Sequence, residues 1–206
     1  MARVKLTKEF KEAISYLSGN EKDKLLNRLL AKEPLLVEQL TFKLLEDSSS
    51  TEPRREAVEK MILERMGDHN FYTVGYLLKD VRDLSAKITF HVRAIKDTFG
   101  EVSLNILLLT EALQHNDHLN FATPKKIKSF NKYILLRCLK IMELIEKLHE
   151  DYRLEFEDEL STLGALISDN EHLMRAGKFI GFDVNWFIEG ETYHDTKPLK
   201  ARAKYL

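Results

Sequence analysis

Apolar residues recur every three or four positions through the middle of the chain, at Val74, Leu77, Val81, Leu84, Ile88, Val92, Ile95 and Phe99. That step keeps one stripe in register with a 3.6-residue turn and cannot be laid on one face of a strand. The spacing predicts a helix across the segment Phe71 to Phe99, of about 28 residues and about 40 Å long, ended by Gly100. Gly75 carries about 1 kcal/mol of helix penalty, so the helix can also begin just after it. A second long stripe, Ile127, Phe130, Ile134, Cys138, Ile141, Ile145, Leu148 and Tyr152, follows Thr123-Pro124, which reads as a cap and a first helical residue. Composition agrees, because 8 Gly and 4 Pro in 206 residues are about half the usual share and leave few places to turn. With 44% hydrophobic residues and a net charge of -1, the chain is far from the regime of disorder. The expected fold is an all-α bundle of antiparallel helices including two long ones.

Shorter elements flank these two. Residues 1–46 read as a unit of short helices, with a capping box at Ser18 and Glu21 and a helix start at Glu33-Pro34. The Leu-rich faces at Leu25, Leu26, Leu29, Leu30 and at Leu35, Leu36, Leu40, Leu44 suit a helical hairpin. Residues 47–53, with Ser48, Ser49, Ser50 and Thr51, read as a linker, because these side chains compete for backbone hydrogen bonds. The bundle spans 54–176. It opens with a helix from Arg54 to Met66 closed by Gly67, and a further helix runs from Glu101 to about His115. Leu160, Leu163 and Ile167 continue an apolar face toward Asn170. Residues 177–206 read as an irregular strap whose Phe179, Phe182, Trp186, Phe187 and Tyr193 dock on the bundle, followed by a basic tail. No fixed-period repeat is present.

No apolar run approaches the roughly 20 residues of a membrane helix. The first twelve residues lack the apolar block of a secretory signal. Cys138 stands alone, which excludes an internal disulfide and suits a reducing compartment. The expected location is the cytoplasm.

Charge order is more informative than the sum of 32 positive and 33 negative residues. Between Leu119 and Met142 the only charges are Lys125, Lys126, Lys128, Lys132, Arg137 and Lys140. From Glu143 to Glu159 acids dominate. On a single helix, lysines at the positive end and acids at the negative end oppose the macrodipole. One reading is an anion site at the Pro124 end, formed by Lys125, Lys126, Lys128 and Lys132 for a phosphate-type ligand. Another is antiparallel pairing of basic and acidic halves in a symmetric dimer. A third is a solvated face neutralised by neighbours from elsewhere in the fold.

Glu143 with Glu146, and Glu155 with Asp158, form two acidic pairs three residues apart. This superficially resembles the paired acids with which all-α nucleoside triphosphate pyrophosphohydrolases hold magnesium, and the resemblance implies a Mg-dependent phosphohydrolase using those four carboxylates. Only the eight residues Lys147 to Leu154 separate the pairs, which is short for a helix to end and another to return. His115-Asn116-Asp117-His118 could hold a metal if His91 or His172 came close, although one H-x-x-H is a weak signal. His91 itself suits a boundary position with one hydrogen bond. Cys138 lies on an apolar stripe, where burial raises a thiol pKa. Lys197, Lys200, Arg202 and Lys204 read as a solvated tail. There is no phosphate loop, dinucleotide fingerprint, nucleophile elbow or His-Glu-x-x-His motif, and no nucleic-acid reader.

Together these features lead to the expectation of a non-enzymatic cytoplasmic scaffold, adaptor or regulatory module that binds a protein partner or itself. The alternative is the phosphohydrolase.

Overall fold

The computed structural model describes residues 4–46, 48–67, 73–114, 123–149, 152, 154–190 and 195–206. Among them the regular structure is entirely helical, an all-α bundle. The chain divides into two compact units, Met1–Asp47 and Ser48–Leu206.

The first unit holds α1 (Lys8–Ser15), α2 (Gly19–Leu30) and α3 (Pro34–Leu44). Local chemistry explains each start. Thr7 accepts a hydrogen bond from the Phe10 amide at 3.2 Å, which satisfies one of the amides that a helix start leaves unpaired. The capping box forms as the sequence predicts: the Ser18 hydroxyl accepts from the Glu21 amide, and the Ser18 amide donates to Glu21 Oε2 at 2.9 Å. Pro34 takes the first position of α3. Packing is loose by comparison, since no residue of these three helices is buried.

The second unit holds α4 (Thr51–Gly67), α5 (Val74–Ile95), α6 (Thr98–Gln114), α7 (Pro124–Lys147), α8 (Glu157–Ser168), α9 (Glu171–Ile180), α10 (Asn185–Ile188) and α11 (Lys197–Ala203). α6 sits at its centre and packs on α4, α5, α7 and α8. Its sequence explains the placement: Val102, Leu104, Ile106, Leu108, Leu109 and Ala112 are all buried, so apolar residues cover the helix all round rather than on one stripe. α5 and α7 each keep one buried stripe, Leu77, Val81, Leu84 and Ile88 on the first and Phe130, Ile134, Cys138 and Ile141 on the second. Positions beside these stripes are buried too, among them Leu78, Asp80 and Ser85 on α5 and Asn131, Leu135 and Leu139 on α7.

Several expected boundaries move. α5 stops at Ile95 rather than running to Phe99, because Lys96 adopts a left-handed conformation, φ 61°, and its amide closes on the Val92 carbonyl at 2.8 Å. Asp97 then accepts from the Gly100 amide at 2.8 Å, so Gly100 lies in the first turn of α6 and ends nothing. Phe99 keeps the stripe's spacing by accident of the corner and belongs to α6. α4 starts at Thr51 after a 3-10 turn at Ser48–Ser50, earlier than the expected Arg54. Pro53 is tolerated there because first-turn amides have no intrahelical acceptor.

α7 ends at Lys147, where Leu148 turns extended with ψ 156°. Glu143 and Glu146 therefore remain on α7, whereas Glu157, Asp158 and Glu159 occupy the first turn of α8, after a 3-10 turn at Leu154–Phe156. Those last three, which would have opposed the dipole of one long helix, favour the start of the next.

The segment from Gly177 is more regular than a strap. Gly177 lies inside α9, which closes with Gly181 at φ 87° and with the Phe182 amide reaching the Gly177 carbonyl at 2.9 Å. Phe182 and Phe187 are buried and meet edge to face at 5.7 Å, but Phe179 is exposed, and Tyr193 lies outside the described residues. The basic end is docked as well. Leu199 and Ala203 are buried, and Arg202 donates to the Ile180 carbonyl at the end of α9.

Candidate functional site

Three groups of polar residues invite a functional reading. The most enclosed is the α5–α6 corner. Arg55 on α4 grips Asp97 with two parallel hydrogen bonds, Nε to Oδ2 at 2.9 Å and Nη2 to Oδ1 at 3.0 Å. His91 Nε2 lies 3.1 Å from the same Oδ2. The guanidinium also rests 5.0 Å from the centre of the Phe99 ring. Burial pushes the Asp97 carboxyl upward, yet the hydrogen bonds from His91, Arg55 and the Gly100 amide outweigh it and hold the group well below its ordinary value. The hydrogen bond to Asp97 likewise raises Arg55. Every lone pair of this carboxylate faces a donor within the chain, so the cluster joins three helices and leaves nothing for a substrate. The sequence offered His91 as a boundary residue, but Asp97 lay inside the expected helix and Arg55, far away in the chain, gave no signal.

The middle of α7 forms the second group. Lys140 pairs with Glu101 of α6 at 2.5 Å. Arg137 reaches the Tyr133 hydroxyl at 3.1 Å and Asn105 Oδ1 at 3.3 Å. Glu143 accepts from Lys200 of α11 at 2.6 Å and from the Thr196 hydroxyl. Burial works to raise Glu143, while Lys200 and Thr196 lower it further than burial raises it. These contacts bear on the carboxylates named for magnesium. Glu143 and Glu146 sit near the end of α7, Glu155 in the following 3-10 turn and Asp158 in the first turn of α8. Among the described residues, no three of His, Cys, Asp and Glu converge in a way that could hold a metal ion. His115 to His118 lie outside the described residues. His91 is committed to Asp97, and His172 lies on α9.

The third group is the basic start of α7. Thr123 precedes Pro124 as expected, but its side chain makes no capping hydrogen bond. Three of the four lysines have different surroundings. The stem of Lys126 lies about 3.8 Å from where a side chain on Gly75 would begin, at the start of α5. Lys132 donates to the carbonyl of Lys204, the residue just after α11, at 3.0 Å. Lys128 alone of the four lines a cavity of about 480 Å³, together with Pro124, Ile127 and Asn131 of α7, His172, Arg175, Ala176 and Phe179 of α9, and Leu206. The sequence marked Lys128 and named His172 and Phe179 in other roles but missed Arg175 and Ala176; the spacing of three, four and seven from His172 puts all four on one face of α9.

Cys138 is fully buried on the α7 stripe, and desolvation pushes its thiol far above the ordinary value. A thiolate, the reactive form, is thereby disfavoured. No helix among the described residues is long and apolar enough to cross a membrane. No protein-family profile, curated protein or solved structure matches the chain.

Proposed function

We propose that this chain is a non-enzymatic helical module that binds protein through residues 4–46, with a second copy of itself as the partner. One observation carries the reading. The first unit exposes large apolar side chains on each of its helices: Phe10 is 53% exposed, Leu26 51%, Leu29 53% and Leu36 41%. Val37, Leu44 and Leu45 are exposed as well, and Ile14, Leu17, Leu25, Leu30 and Leu40 are only half-buried. A unit this small removes too little apolar surface from water to be strongly stable unaided. Clustered exposed apolar residues mark surfaces that another chain covers. A two-fold contact would let the same face serve both partners.

Charge pairing between copies is a weaker basis for association. Lys140 and Glu143, at the boundary between the basic and acidic blocks, already have partners within the chain. Association through an apolar face also differs from charge pairing in being little weakened by salt. A magnesium-dependent activity finds no support in the placement of the acids, since Glu143 is paired with Lys200 and Thr196.

Sedimentation of the full chain tests the proposal. The parent protein should sediment above monomer mass at both low and high salt, and Leu26→Glu with Leu29→Glu should return it to monomer without loss of helicity. A parent chain that is monomeric at all salts and concentrations would contradict it, as would a double variant that associates like the parent.

A further inference from the structure

The cavity between α7 and α9 is built differently from the other concave site in this unit. That second site, about 330 Å³, is lined by Tyr133, Leu136, Arg137, Lys140, Glu143 and Lys200, and each of its charged groups already has a partner. In the 480 Å³ cavity the side chains of Lys128, His172 and Arg175 have no hydrogen bond or ion pair among the described residues. The wall beside them is apolar, formed mainly by Ile127, Ala176 and Phe179. Asn131 lies one turn beyond Ile127 and also lines the space. It is only 4% exposed, and its Oδ1 is buried with no hydrogen-bond partner among the described residues. A buried amide oxygen is costly to leave unpaired, and such atoms are normally met by water or a ligand. Volume, an apolar wall and a few convergent polar groups are the usual makings of a small-molecule site.

We propose that this cavity binds a small amphipathic anion, with one carboxylate head held by Lys128 and Arg175 and an apolar body laid along Ile127, Ala176 and Phe179. Guanidinium and ammonium groups suit a carboxylate head, because charge-assisted hydrogen bonds are the strong ones. Bare phosphate is a poor fit, since it would leave the apolar wall uncovered and face only flexible exposed side chains.

Calorimetric titration of the full chain with decanoate, hexanoate, decanol and inorganic phosphate tests the assignment. Decanoate should bind at one site per chain, and affinity should fall about fourfold for each methylene removed. Hexanoate should therefore be about a hundredfold weaker or worse. Lys128→Gln with Arg175→Gln, both exposed positions, should weaken decanoate about tenfold or more while leaving decanol unchanged. Lys125→Gln with Lys126→Gln should leave both unchanged. Failure of the parent chain to bind decanoate would overturn the proposal. So would phosphate binding as tightly as decanoate, or an unchanged decanoate affinity in the Lys128 and Arg175 variant. None of these outcomes depends on whether the chain self-associates.

Discussion

Asp97 shows how a single side chain fixes a corner. Its carboxylate takes hydrogen bonds from Arg55, His91 and the Gly100 amide while only 3% of the side chain is exposed. Asp97→Ala would leave the part-buried Arg55 with only the exposed Glu52 carboxylate, 2.9 Å from its Nη1, and would leave the His91 and Gly100 donors unpaired, so it should cost about 3 kcal/mol in urea unfolding. The pH dependence has a definite sign. The folded carboxyl titrates below its unfolded value of about 3.9, so its stabilisation is present above that pH and lost as pH falls through the folded value. Unfolding midpoints measured below about pH 4 should therefore drop more steeply for the parent than for Asp97→Ala. Gly100 belongs to the same corner for a different reason than its expected role as a helix stop. A Cβ there would collide with the Asp97 carboxylate and lie 2.7 Å from Arg55 Nε. Gly100→Ala should cost about 1 to 3 kcal/mol, the usual penalty of overpacking, whereas Gly67→Ala, with open space around it, should cost far less. Ser85 gives the opposite test. Its buried hydroxyl has no partner among the described residues, so Ser85→Ala should leave the unfolding midpoint unchanged or raise it.

At the scale of elements, periodicity in the sequence located the long helices because burial on one face imposes it. Their ends were harder to read. The α5 stripe passes into α6 without a break in spacing, and nothing in that spacing marks the Lys96 corner. The α7 stripe likewise runs on through Leu148 and Tyr152, although the backbone has already turned extended at Leu148. Hydrophobic spacing records which residues seek the core, not whether one helix or two bring them there. The docked α11 was hidden by its charge. Lys197, Lys200, Arg202 and Lys204 suggested solvent, yet Leu199 and Ala203 on the same short helix are buried. Burial of the apolar pair, rather than the ion pair to Glu143, should hold this helix in place. Leu199→Ala should thus cost about 2 to 5 kcal/mol of stability, and Lys200→Gln about 1 kcal/mol or less, because that bridge is partly exposed. Comparing the two unfolding midpoints checks the order.

For the molecule as a whole, near-zero net charge proved compatible with a well-organised distribution. Lysines of α7 find partners on α6 and just after α11, and the acids after Leu154 fall at the start of α8. The Lys128 end of the candidate cavity was visible in the sequence, since a basic run beside a helix-opening proline stands out. Asn131, His172 and Arg175 were not, because tertiary packing alone brings α9 beside α7. The exposed faces of the first unit were also illegible, since amphipathic spacing is the same whether or not the apolar side is covered. Hydrogen exchange measured at low and high protein concentration distinguishes a bare face from one that a second copy covers. If the first unit self-associates, amides of Gly19–Leu44 become more protected as concentration rises, while those of α6 stay constant, and Leu26→Glu with Leu29→Glu abolishes the change. Protection of Gly19–Leu44 that is independent of concentration in the parent chain would contradict self-association.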